Sequence, residues 1–255
     1  MRFAANLGYL FPEQPFLERF AAARATGFRG VEFAQPYDYP AAEIAARLRD
    51  NGLECVLINL PMGDKSKGDF GIACRPGREA EFRESVARGI AYAHAIGVKK
   101  LNCISGTMKA GEDRDQLRAT LVANLRLAAR ELKAAGLGLV VEPINSHDVP
   151  GFFISRSPEA MGVIREVGSD NLGLQCDLYH TAMMGDDPAA ILRQCWPAIR
   201  HIQFADAPGR GEPGTGLIDF APLFRLIESL GYDGWVSAEY RPSKPTTQTV
   251  SSYLA

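Results

Sequence analysis

Four oxygen-bearing side chains, Glu142, Asp177, Gln203 and Glu239, are spread through the second half of the 255-residue chain, each closing a short apolar run. Leu139 to Asn145, Leu-Val-Val-Glu-Pro-Ile-Asn, shows the pattern best, because the apolar stretch stops on a carboxylate and a proline. A buried carboxylate without a partner costs several kcal/mol, so something must compensate Glu142. Three carboxylates brought into one site raise one another's pKa and do not all ionise without a cation. A divalent ion meets that need. Because the set offers carboxylate and amide oxygens and no imidazole or thiolate, Mg²⁺ or Mn²⁺ is expected ahead of Zn²⁺. Any one acidic residue at a strand end is more often a helix cap or an ion-pair partner; the argument rests on four such ends in succession.

Around this set stand further candidates. His180, three residues after Asp177 in Cys-Asp-Leu-Tyr-His, lies just past a strand end and is expected to hydrogen-bond a substrate. Ala205 to Gly216 carries four glycines and two prolines, a backbone suited to close approach to a ligand, and its Arg210 offers a guanidinium fork for a carboxylate. A solvated turn is the alternative there. His201 shares a strand face with Gln203 and either orients it or satisfies itself in the core. His147 is either a rim contact or a loop brace, and Asn145, which closes the opening run, is kept as a residue able to support the ligands from behind. His94 falls in a helix and reads as surface or packing.

The elements that would position these residues alternate short β-like runs with segments of helical period, the pattern of a parallel sheet wrapped by helices. Strands are expected at Phe3 to Leu7, Gly30 to Phe33, Leu53 to Leu60, Lys100 to Ile104, the Leu139 run, Leu172 to Asp177, Ile199 to Ala205 and Trp235 to Tyr240. Eight such runs count out a single (β/α)8 TIM barrel over residues 1–255, with 241–255 a loosely held Pro/Ser/Thr-rich tail. In that architecture the C-terminal ends of strands build the pocket, so strand-end residues are the ones to weigh. The loop from Pro61 to Pro76 is long and without periodicity, which points to function or mobility. No glycine-rich phosphate turn follows the first strand, against a dinucleotide-binding open sheet.

Composition narrows the function classes. Apolar residues make up 46% and charged residues 23%, and the formal net charge is −2, so no electrostatic footprint for nucleic acid or a membrane surface is present. Five scattered cysteines without a Cys-x-x-Cys pair read as reduced, small apolar residues. No apolar run approaches the ~20 residues of a membrane span, the N-terminus shows no signal-peptide apolar region, and a cytoplasmic location is expected. Oligomeric state is open, a homo-oligomer included.

These pieces together resemble a known family. Arg2-Phe-Ala-Ala-Asn-Leu, Arg29-Gly-Val-Glu-Phe, Pro36-Tyr-Asp-Tyr, Pro76-Gly-Arg-Glu, Glu142-Pro-Ile-Asn, Asp177-Leu-Tyr-His, Gly211-Glu-Pro-Gly-Thr-Gly and Glu239-Tyr are similar to segments of hydroxypyruvate isomerases, within the xylose isomerase-like barrels. That superfamily also includes tagatose and psicose epimerases and endonuclease IV. The resemblance implies that Glu142 and Glu239 transfer protons, that Glu142, Asp177, Gln203 and Glu239 hold the metal, and that His180 and Arg210 contact a small hydroxy-carbonyl acid. Gln203 stands where the related epimerases use His. Interconversion of hydroxypyruvate and tartronate semialdehyde, within glyoxylate metabolism, is the implied reaction. A 2-oxo-tetronate isomerase, a ketose 3-epimerase and a non-catalytic sugar-acid binding protein are the rivals.

Overall fold

The computed structural model describes residues 1–254. Eight parallel strands, β1 (Arg2–Asn6), β2 (Gly30–Glu32), β3 (Glu54–Asn59), β4 (Lys100–Cys103), β5 (Gly138–Val141), β6 (Leu172–Asp177), β7 (Ile199–Phe204) and β8 (Trp235–Ala238), pair in chain order, and β8 returns to β1 to close the barrel. The helices are α1 (Arg19–Thr26), α2 (Ala41–Asp50), α3 (Glu79–Ile96), α4 (Arg114–Ala134), α5 (Ser157–Val167), α6 (Leu178–Met183), α7 (Pro188–Cys195) and α8 (Phe220–Ser229). The expected (β/α)8 architecture is the one observed. Gly27 ends α1 with φ 110°, the left-handed conformation that a residue with a Cβ resists.

The main apolar core lies between the strands and the helices, with residues such as Phe20, Leu121, Leu174 and Ile227 almost fully removed from water. All five cysteines are free and buried, as small apolar residues would be. Among the described residues no helix is long and apolar enough to cross a membrane. Part of the barrel interior is polar instead. Asn6, Glu32, Asn59, Asn102, Gln175, His201 and Gln203 are all buried on the strands; most such groups are hydrogen-bonded, and Asn102 Oδ1, Gln175 Oε1 and His201 Nδ1 have no partner among the described residues.

Two expectations change. Residues 241–254 are not loose, residue 255 lying outside the described ones: Thr246 is fully buried and its hydroxyl accepts from the Phe11 backbone N–H at 2.7 Å, while Tyr253 packs edge-on to Phe3 and Phe204 at 5.2 and 5.0 Å. Polar composition concealed an aromatic anchor. Helix α6 was not expected at all, because six residues are too few to show a helical period; it starts directly after Asp177, whose carboxylate caps it.

The long loop after β3 is pinned by a bidentate pair, Arg78 to both oxygens of Asp69 at 2.7 Å. That hydrogen bonding holds the Asp69 carboxyl below its ordinary 3.8, against a smaller opposing effect of burial. A depressed carboxylate stabilises the folded loop above 3.8 and loses that contribution as pH falls through its folded pKa. Amide exchange across residues 61–78 is therefore expected to quicken in Asp69→Asn at neutral pH, and in the wild type only below about pH 3.8. Equal exchange in both proteins at neutral pH would contradict the pinning.

Candidate active site

Glu142 stands one residue beyond β5, where Pro143 cannot continue the ladder, and its carboxylate is buried at the mouth of the barrel. Asn102 of β4 donates to Oε2 at 2.8 Å, leaving Oε1 facing His180 Nε2 at 3.9 Å. Asp177 ends β6 and spends Oδ1 on the Tyr179 N–H at 2.8 Å, so that Oδ2 faces His180 Nε2 and Arg210 Nη2, each at 3.5 Å. The capping geometry thus leaves the other oxygen free to face His180 and Arg210.

The ring of His180 is oriented by Asn145. The Asn145 carbonyl accepts from the backbone N–H groups of His147 and Asp148, which fixes its amide nitrogen toward His180 Nδ1 at 2.6 Å. Facing a donor, Nδ1 must accept, and in the neutral ring the proton therefore sits on Nε2. Burial, with the Arg210 charge added, pushes the imidazole well below its ordinary pKa, so the ring is neutral. His180 consequently presents an N–H to the cavity between Glu142 and Asp177.

Glu239, just past β8, has one oxygen held by Asn6 Nδ2 at 2.6 Å and the other ion-paired with Arg210. Arg210 is sandwiched between the rings of Tyr9 and Tyr179, its carbon 4.7 and 4.8 Å from their centroids. Its backbone has φ 56°, an unusual conformation for an arginine, and the cis Ala207-Pro208 bond lies in the same loop. Burial alone would lower the Arg210 pKa, but the charges of Glu239, Asp177 and Glu142 outweigh it and raise it.

One guanidinium does not balance three carboxylates. Burial, then the Asp177 charge, pushes Glu142 up to about 8, and burial pushes Asp177 up to about 6 with Arg210 opposing. Burial also raises Glu239, again against Arg210. A second positive charge would let all three ionise. Single polar atoms of Glu142, Asp177 and His180 lie within 4.8 Å of one another; with the His180 proton on Nε2, the two carboxylates are the members able to hold a cation, and their oxygens make it a hard site.

Glu239 lies outside that close group. The Gln203 amide donates to Glu32 Oε1 at 2.7 Å, and its carbonyl accepts from Gln175 at 2.6 Å. His201 binds the other Glu32 oxygen at 2.6 Å, so it meets Gln203 only through that shared carboxylate. Asn6 also donates to Glu32, at 2.9 Å, which links the barrel floor to Glu239. His147 is exposed on the rim and neither braces the loop with its side chain nor enters the cavity; its neighbour Asp148 does, accepting from Tyr179 Oη at 2.9 Å and lying 3.7 Å from Arg210. The residues missed from sequence were Asn6, Glu32, Asn102, Asp148 and Gln175. Asn6 and Glu32 close their strands as Glu142 and Glu239 close theirs, so the same rule applied to β1 and β2 finds them.

Glu142, Glu239, His180 and Arg210 all line one cavity of about 360 Å³. Met62, Phe70, Ile104, Ile144 and Val149 form its apolar wall.

A sequence profile of the xylose isomerase-like TIM barrel family matches residues 20–254. The chain is 48% identical to the hydroxypyruvate isomerase of Escherichia coli over 96% of its own length and 95% of that protein. The chain belongs to the hydroxypyruvate isomerase family of xylose isomerase-like barrels. It is also 44% identical to a 2-oxo-tetronate isomerase of Cupriavidus necator, over 96% of this chain and 95% of that one. Among solved structures, a family 2 AP endonuclease from Brucella melitensis superposes with a TM-score of 0.96 at 41% identity, covering 99% of this chain and 97% of that one.

Proposed function

We propose that this family member is an intramolecular oxidoreductase that interconverts hydroxypyruvate and 2-hydroxy-3-oxopropanoate. The observation that carries the reading is the pair Glu142 and Glu239, buried on one cavity, each with one oxygen pinned by an asparagine amide. Two positioned carboxylates are what a proton shift between neighbouring carbons requires, whereas binding alone needs neither as a base. One glutamate removes a proton from C3 of hydroxypyruvate, giving an enediolate. A proton then returns to C2, the hydroxyl proton passes from the C3 oxygen to the C2 oxygen, and the aldehyde forms at C3. Nothing is oxidised or reduced overall.

The direction of both shifts serves this chemistry: burial raises Glu142 and Glu239 above the ordinary carboxylate range, which makes each a better proton acceptor than an exposed carboxylate. His180 offers its Nε2–H to a substrate oxygen. Arg210 holds Glu239 in place and lines the same wall.

The donor set fits a divalent ion. Glu142 and Asp177 would hold it, with Glu239 and the Gln203 carbonyl completing the set; a carbonyl oxygen has two lone pairs, and Gln175 occupies one. Mg²⁺ or Mn²⁺ bound there would supply positive charge for the enediolate oxygens. The likeness to a 2-oxo-tetronate isomerase supports a second reading, the same proton shift on a four-carbon acid. Comparing kcat/KM for the two acids decides between them. A protein that turned over neither would contradict both.

A further inference from the structure

The proposed substrate carries a carboxylate, and the geometry points to Arg241, not Arg210, as the residue that binds it. This rests on the isomerase reading above and assigns the acid-recognition element of the same cavity. Arg210 is the obvious candidate from sequence, but its guanidinium is already committed. It is buried, packed between two tyrosine rings, ion-paired with Glu239, 3.5 Å from Asp177 and 3.7 Å from Asp148, and its Nε reaches the Glu239 carbonyl at 3.3 Å. A substrate carboxylate placed there would compete with three of the protein's own. It would also enter a site that is short of positive charge.

Arg241 differs on each count. It lines the same cavity, is exposed, and makes no ion pair with any described residue. It lies two residues after Glu239 in the chain, and both side chains border the cavity that a substrate would occupy. Its base is fixed although its head is free. The Arg241 backbone N–H donates to the Arg210 carbonyl at 2.7 Å, and Pro242 confines the Arg241 backbone to extended conformations. Ser243 is then tied to Glu212 through its backbone N–H at 3.1 Å and through its hydroxyl. The guanidinium is thus a tethered, unpaired fork on a cavity that also carries apolar lining, the arrangement that selects an acid over an uncharged sugar of the same length.

The test uses the full-length protein with Arg241→Gln and Arg241→Lys. For hydroxypyruvate, Arg241→Gln is expected to raise KM about 10- to 100-fold, the usual range for a lost hydrogen bond to a charged group, and to lower kcat by much less; Arg241→Lys restores part of the KM. Calorimetry with the unreactive acid glycerate, against uncharged glycerol, reads the same interaction without turnover. Wild type should bind glycerate with a marked preference that Arg241→Gln abolishes. Inactive wild type that still shows this preference would sink the isomerase reading and leave the Arg241 assignment standing. Active wild type with an Arg241→Gln variant of unchanged KM and unchanged glycerate affinity would overturn the assignment alone, and wild type that does not prefer glycerate to glycerol would overturn it as well.

Discussion

Glu142→Gln should lower hydroxypyruvate turnover by roughly 10²–10⁴-fold, the range a positioned general base contributes, while leaving the unfolding midpoint unchanged or higher. The amide can still accept from Asn102 Nδ2 through its carbonyl, and it replaces a carboxyl that burial pushes up to about 8, whose proton uptake on folding costs stability at neutral pH. Glu239→Gln should lose turnover on the same scale for a different structural outcome. Glu239 accepts from Asn6 on one oxygen and from Arg210 on the other, so any amide orientation sets its NH₂ against a donor. That variant is expected to be less stable as well as slower. Near-normal turnover in both proteins, measured on the purified variants with circular dichroism confirming the fold, would refute the two-glutamate scheme.

The second large effect concerns the cation. Chelation of the protein should abolish turnover, and Mg²⁺ or Mn²⁺ should restore it better than Zn²⁺. Independently of activity, an ion that binds the folded site and not the unfolded chain stabilises it by about 2.7 kcal/mol at a concentration 100 times its Kd. Thermal unfolding with and without Mn²⁺ reads that shift, and Asp177→Asn should abolish it by removing the free oxygen that faces His180 and Arg210. Undiminished turnover in exhaustively chelated protein would show that Arg210 alone supplies the positive charge.

The barrel was legible because each strand is an apolar run bounded by turn residues, and the catalytic end of the fold was legible because those runs stop on polar residues. Applied only to β5 to β8, that rule missed Asn6 and Glu32, which close β1 and β2 and carry the contacts beneath Glu239 and Gln203. Residue type showed that Gln203 offers an oxygen, but not that the strand register sets Gln175 and Asp177 opposite His201 and Gln203, so that Gln175 shares the Gln203 carbonyl. Arg210 read as a fork for a ligand. Only the packed structure shows Tyr9 and Tyr179 closing over it and Glu239 consuming it. The C-terminal segment failed for a related reason: Thr246, Val250 and Tyr253 are buried, but they are three residues among prolines, serines and threonines, and composition averages them away.

The central claim is a proton shift between two carbons under Glu142 and Glu239. It is tested most directly by proton NMR of hydroxypyruvate incubated with the Mn²⁺- or Mg²⁺-loaded enzyme in D₂O. The account predicts enzyme-dependent loss of C3 protons and deuterium at C2 of the aldehyde product wherever the glutamate exchanges with solvent, with both signals suppressed in Glu142→Gln and Glu239→Gln. Wild-type spectra in which hydroxypyruvate neither exchanges C3 protons nor yields aldehyde would contradict it.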